Sequence, residues 1–140
     1  MDNKKGRIKT MKPVDVLQSY FESLHDPELA LKYVHEDAKF TAAKEFGNHH
    51  FYGLYCGIEE VRSLLAKFQK DLDTQDFRIY KIIGDETTAF AWGKFIHRVR
   101  TTNKLFESPW AVVVEIEDNK IKLFQGFEDT AGLEESFRKD

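Results

Sequence analysis

Residues 77–128 read FRIYKIIGDETTAFAWGKFIHRVRTTNKLFESPWAVVVEIEDNKIKLFQGFE, and the fold is decided there. Four runs rich in Val, Ile, Phe, Tyr and Trp cover Phe77 to Ile83, Thr87 to Arg100, Leu105 to Glu117 and Ile121 to Glu128. Gly84-Asp85-Glu86 and Asp118-Asn119 break them, and connections this short join antiparallel neighbours. The stretch therefore predicts a four-strand antiparallel meander.

Upstream, the apolar period changes from two to that of a helix. Pro13 suits a first helical turn, and Val14, Leu17, Phe21 and Leu24 recur on one face. Asp26-Pro27 is a cap followed by a first-turn proline, predicting a second short helix with Leu29, Ala30 and Tyr33 or Val34 turned inward. Phe40 lies in a brief strand-like stretch, and residues 43–56 form a Gly- and His-rich connection too long for a simple turn. A third helix is expected from Ile58 to about Gln69, with Ile58, Val61, Leu65 and Phe68 on one stripe. A last helical turn or two begins near Thr130 and returns Leu133 and Phe137 to the body. Helices first and a meander second indicate an α+β domain in which one sheet face is buried on the helices. If the sheet curls strongly, that face becomes a cone around a cavity.

At 140 residues one domain is expected, spanning 13–140, preceded by a basic extension over 1–12 in which Met11 is an alternative start. That extension holds Lys4, Lys5, Arg7, Lys9 and Lys12 against Asp2, so the remainder is more acidic than the formal net charge of -3 indicates. An acidic body argues against a nucleic-acid-binding face, which needs clustered Lys and Arg. Cys56 is the single cysteine, which excludes an internal disulfide and a thiolate cluster and points to a reducing, cytoplasmic setting; it reads as a small buried apolar residue. No segment is apolar for long enough to span a bilayer. No Gly-rich phosphate loop or dinucleotide fingerprint is present, so no nucleotide cofactor is expected. The adjacent His49 and His50 point opposite ways in an extended segment, so no metal site is expected either.

Four motifs carry a family resemblance: His35-Glu36-Asp37-Ala38-Lys39-Phe40, Gly57-Ile58-Glu59-Glu60-Val61-Arg62, Asn119-Lys120-Ile121 and Phe127-Glu128-Asp129-Thr130. In this order and spacing the chain resembles the nuclear transport factor 2-like superfamily, in its SnoaL-like and ketosteroid isomerase-like branch, over residues 13–138. The resemblance implies a curved antiparallel sheet wrapped around N-terminal helices, a cone-shaped pocket, and a homodimer packed through the outer sheet face. Function varies widely across such a fold. In ketosteroid isomerase two carboxyl groups and a helix-one tyrosine form the site. Tyr20 matches the tyrosine, but the two carboxyl positions fall near Ala42 and Val112, so steroid isomerase activity is not expected. SnoaL-like cyclases use an aspartate on the last strand as general acid and base; here alternation through Phe124, Gly126 and Glu128 brings Glu128 inward, with Gly126 leaving room for a ligand.

These considerations set the candidates. Glu128 is the acid–base group, since a carboxyl at the rim of an apolar cavity has its charged form disfavoured; the plainer alternative is a solvated strand-end charge. His97 is a candidate proton shuttle if its strand presents Ala91, Gly93, Phe95 and His97 to the cavity; the other register presents Phe90, Trp92, Lys94 and Ile96. The first of these buries no charge, which favours it. Tyr20 is the hydrogen-bond donor, and Asp129 reads as a helix cap rather than a catalyst. Phe40, Tyr55, Leu65, Phe95, Trp110, Val112, Phe124 and Gly126 are expected to line the pocket. The expectation is a pocket for a small apolar carbonyl or hydroxyl compound, with cofactor-free acid–base chemistry. The alternative is a non-catalytic binding or dimerisation module.

Overall fold

The computed structural model describes residues 9–140, so most of the predicted basic extension lies outside the described residues. Helix α1 (Pro13–Glu22) starts on its proline, and α2 (Pro27–Ala30) starts on Asp26, whose side chain accepts from the Glu28 amide at 3.1 Å. A 3₁₀ turn (Leu31–Tyr33) leads into β1 (Val34–Thr41), and a long loop leads to β2 (Tyr55–Cys56). Helix α3 (Gly57–Asp71) is followed by β3 (Leu72–Gly84), β4 (Thr88–Val99), β5 (Leu105–Glu117), β6 (Lys120–Glu128) and α4 (Thr130–Phe137). The six strands make one sheet in the order β2-β1-β6-β5-β4-β3. The meander is antiparallel throughout, while β1 joins it parallel to β6.

Alternation orients the meander. Along β4, Ala89, Ala91, Gly93 and Phe95 are buried and Phe90 and Trp92 exposed; along β5, Phe106, Ser108, Trp110, Val112 and Val114 are buried. The helices cover this inner face: Val16, Leu17, Tyr20 and Phe21 from α1, Val61, Leu64 and Leu65 from α3, and Leu133 from α4.

Several local expectations differ from the structure. The buried face of α1 is centred on Val16, Leu17, Tyr20 and Phe21, with Val14 only half-buried. The second helix lasts four residues, and Leu29 points outward at 37% exposure because the chain turns into β1 before a second turn can bury it. Strand β1 is longer than the stretch around Phe40, since polar residues on its outer side hide the alternation of Val34, Ala38 and Phe40. Strand β3 begins directly after α3: Leu72 to Asp76 already pair with β4, but on an exposed edge without apolar alternation. Cys56 is exposed, because at the α3 N-cap it faces away from the core.

One turn anchors an end of the sheet. Asp118 and Asn119 both take positive φ, 55° and 61°, as a two-residue hairpin between right-twisted strands requires. The Asn119 side chain also clamps the incoming chain: its Oδ1 accepts from the Met11 amide at 2.8 Å, and its Nδ2 donates to the Lys9 carbonyl at 2.7 Å.

Gly93 is where the sheet is tightest. A methyl group there would lie 1.8 Å from the Arg78 carbonyl oxygen and 2.7 Å from Trp110 Cζ2. The first partner is backbone, which no rotamer change can move. Gly93→Ala is expected to cost about 2 kcal/mol or more of stability by urea denaturation, because the strands must separate to admit the methyl. An unchanged midpoint would show that β3 yields freely there.

Candidate functional site

Between the inner sheet face and the helices lies a cavity of about 500 Å³. Its wall is mainly aromatic, including Tyr20 and Phe21 from α1, Phe95 from β4, Phe106 and Trp110 from β5, and Phe124 from β6. Leu65, Val112, Gly126, His97 and Glu128 also reach it. Exposed Glu22, His25 and Gln69 mark its mouth, between the end of α1 and the end of α3.

Strand register sets the depth of each polar group. Phe124 pairs with Val114, Gly126 with Val112, and Glu128 with Trp110, which is itself opposite Gly93. Tyr20 lies at the deep end, its ring 6.0 Å from Phe124 and 6.1 Å from Phe40. Glu128 lies midway. His97 pairs with Phe106 near the mouth, four residues along β5 from Trp110. At roughly 3.3 Å per residue the His97 and Glu128 levels are about 13 Å apart along the strand, on opposite sides of β5. The three candidates border one cavity, yet His97 and Glu128 are too far apart to exchange a proton directly.

The surroundings of each group define its chemistry. The Glu128 side chain makes no hydrogen bond or ion pair among the described residues, and burial, reinforced by the neighbouring charge of Asp129, pushes its carboxyl up to about 7. Burial pushes His97 down to about 4, so its imidazole is neutral at physiological pH. Thr74 Oγ1 lies 2.9 Å from His97 Nδ1 and holds the ring, leaving Nε2 for another partner. Burial raises the Tyr20 phenol well above its ordinary range, and its hydroxyl has no hydrogen-bond partner among the described residues. The indole N–H of Trp110 is buried in the cavity wall without an acceptor among the described residues. Asp129, by contrast, serves the fold, because its carboxylate accepts from the Gly132 amide at 3.0 Å and caps α4.

Two residues expected in the wall are not in it. Phe40 is fully buried behind Phe124, stacked on it at 4.7 Å, because β1 lies one strand beyond β6. The Tyr55 hydroxyl turns to the His50 and Phe51 carbonyls, 3.2 Å from each, and receives Lys67 Nζ at 3.0 Å, so it braces the long loop instead. Gly126 borders the cavity, but the space above it is filled by the chain: a methyl there would lie 2.2 Å from the Ala42 carbonyl oxygen. On sequence Phe51, with Tyr52 and Tyr55, suits a pocket lid and a packed flap equally well, so its place in the wall was hidden. Its ring packs on Phe68 at 5.0 Å and Phe137 at 5.4 Å, pinning the loop across the cavity wall. Thr74 was equally hidden, since nothing in its polar segment marks the ladder to His97.

Away from the cavity, His35 Nε2 lies 3.2 Å from Glu117 and 3.9 Å from Asp118. The Asp37 amide donates to His35 Nδ1 at 2.9 Å, so Nε2 carries the proton and points it at Glu117. A nitrogen used in that way offers no lone pair to a metal ion.

The same arrangement of sheet and helices recurs among solved structures. The SnoaL-like domain matches residues 18–124. The chain belongs to the SnoaL-like family. Patulin biosynthesis cluster protein F of Penicillium expansum is 39% identical over 139 residues, covering 91% of this chain and 69% of that protein. Patulin synthesis protein F of Aspergillus clavatus is 42% identical over 69 residues, which is 49% of this chain and only 35% of that protein. A crystal structure of a nuclear transport factor 2-like protein from Burkholderia thailandensis superposes with a TM-score of 0.81 at 21% identity, covering 92% of this chain and 99% of that one. That likeness establishes the α+β fold of the superfamily for this SnoaL-like domain. None of its helices is long and apolar enough to cross a membrane among the described residues.

The Glu128 carboxyl also makes stability depend on pH. Its ordinary value is 4.5 and its folded value about 7, so between these the unfolded chain ionises while the native one stays protonated. Native stability is lost as pH rises through that window, and the loss is complete above it. Glu128→Gln is therefore expected to match the parent in acid and to exceed it by roughly 2 kcal/mol at about pH 8, allowing for partial solvent screening. Denaturant titration of both proteins across pH checks this; parallel profiles would place Glu128 in solvent.

Proposed function

We propose that this SnoaL-like domain binds a small, largely apolar compound bearing a carbonyl or hydroxyl group, and moves a proton on it without a cofactor. One observation carries the reading: Glu128 is a carboxyl in an aromatic cavity, unpaired among the described residues and raised to about 7, where it can both take and return a proton at neutral pH. In the ionised form it abstracts a proton from carbon next to a carbonyl or from a hydroxyl. In the protonated form it delivers one to a neighbouring position or to a leaving oxygen. Isomerisation, cyclisation and dehydration are all sequences of these two steps. Tyr20, a donor with its hydroxyl uncommitted at the deep end, suits the oxygen on which charge develops. The two relatives named for patulin synthesis support a role in making a small molecule. The lone cysteine supports a cytoplasmic setting.

The test is a thermal-shift panel of sterols, polyketide ring compounds and terpenoid epoxides, followed by incubation of binders in heavy water. A binder is expected to raise the melting temperature of the parent and of Glu128→Gln alike. Deuterium uptake into the binder is expected to fall at least a hundredfold in the variant. Binding without deuterium exchange in the parent would leave a binding module rather than an enzyme. No shift from any class would sink the ligand reading.

A second reading, compatible with the first, concerns the outer sheet face. Tyr80, Ile83, Phe90 and Trp92 form an exposed apolar surface there, with Tyr80 and Trp92 in edge contact at 4.9 Å and Phe127 one strand beyond Ala111. Patches of this kind on a soluble domain mark contact surfaces. The reading is a homodimer through this face, with isologous packing. Sedimentation is expected to give a dimer for the parent and a monomer for Trp92→Lys at the same concentration. A monomeric parent would remove the proposal.

A further inference from the structure

Beyond the deep Tyr20 hydroxyl, the cavity has two polar poles that differ in chemistry, and they constrain its occupant more closely than the Glu128 reading on which this inference rests. Glu128 is one pole. The other is the His97–Thr74 pair near the mouth, about 13 Å away along the strand direction and across β5. Between them the wall is aromatic surface from Phe95, Phe106 and Trp110, whose indole N–H, beside the Glu128 level, is its one unpartnered polar atom among the described residues. A molecule with a single polar end satisfies one pole and buries the other against hydrocarbon, leaving a polar group without a partner.

Charge narrows the choice further. Among the described residues no Lys or Arg borders the cavity, while Glu22 at the mouth and Glu128 within are both acids. A bound carboxylate or phosphate would lose its hydration, gain no ion pair, and face a like charge. The imidazole of His97 does not compensate, because burial keeps it neutral. What remains to it is an ordinary hydrogen bond through Nε2, with the ring held by Thr74.

We propose that the cavity selects an uncharged, elongated ring compound carrying a hydroxyl or carbonyl at each end, and that His97, positioned by Thr74, is the specificity residue reading the end remote from Glu128. His97 then acts on binding and not as a proton shuttle to Glu128.

Three probes on one frame test this: biphenyl with a para hydroxyl at both ends, with one hydroxyl, and with one carboxylate. Calorimetry at about pH 7.5 leaves the phenols neutral and the acid ionised. The two-ended phenol is expected to bind about tenfold tighter than the one-ended phenol, as one additional hydrogen bond allows. The carboxylate is expected to bind at least tenfold weaker than the one-ended phenol. In His97→Leu the ratio of two-ended to one-ended affinity should fall to about one, whereas His97→Gln should retain most of it. Thr74→Val gives the same comparison without altering His97 and should shrink the advantage. If the phenols bind but His97→Leu keeps the advantage, or the carboxylate binds as well as the phenol, this inference fails and the Glu128 reading stands. If none of the probes binds, this inference fails, and the Glu128 reading is decided by its own panel.

Discussion

At Gly93 the backbone of β3 approaches so closely that the Arg78 carbonyl occupies the place of a side chain, and Trp110 from β5 lies against the same spot. The ladder between β3 and β4 shifts register just there, after Ile79, and again after Thr74. An irregularity in one strand opposite a glycine in the next lets a sheet bend while pairing resumes on either side, here with Tyr80 left out of the ladder. The bend has two consequences. It turns the inner face into a concave wall, and it stacks Phe77 on Trp110 at 5.2 Å, with Phe21 meeting Trp110 edge-on at 5.3 Å. The aromatic cluster that closes one side of the cavity therefore exists because one residue in β4 lacks a side chain.

The helices complete the enclosure, and they do so unevenly. The α1 contribution changes character within one step, since Tyr20 faces Phe40 and Phe124 while Phe21 faces Phe77 and Trp110. The long loop is held by rings and by polar ties: Lys67 donates to the His50 carbonyl, His50 pairs with Asp71, and the Tyr52 hydroxyl donates to Glu134 at 2.6 Å. A loop of that length fixed at several points behaves as part of the wall. Inside the cavity His97 has one such tie, to Thr74, while Glu128, Tyr20 and the Trp110 indole have none among the described residues, and that contrast separates the groups that hold the fold from those available to a ligand.

The meander was legible in the sequence because its central strands are buried on one side only, which imposes strict alternation on β4 and β5. The edge elements were not. Leu72 to Asp76 forms half a ladder with little burial, so no hydrophobic pattern marks it, and β1 was shortened by its polar outer side. Glu128, His97 and Tyr20 could be named because each is a titratable group set within an apolar run. Their separation could not, since it depends on which β4 residue lies opposite which β5 residue. Phe40 and Tyr55 were misplaced for a related reason: a pattern reveals that a ring is buried, but whether it lies against space or against another ring is settled by the strand beyond it. The glycine at 126 shows the same limit, because a missing side chain can make room for the protein's own backbone as readily as for a guest.

The clamp formed by Asn119 on Lys9 and Met11 bears on how the molecule can be handled. It brings the start of the described chain to the hairpin between β5 and β6, at the deep end of the sheet and opposite the mouth marked by Glu22, His25 and Gln69. Attachment to a sensor surface ahead of Lys9 therefore presents the opening outward, towards solution. The same chain polarity makes Asn119 a latch, coupling the placement of Lys9 and Met11 to the integrity of a turn far from the cavity mouth.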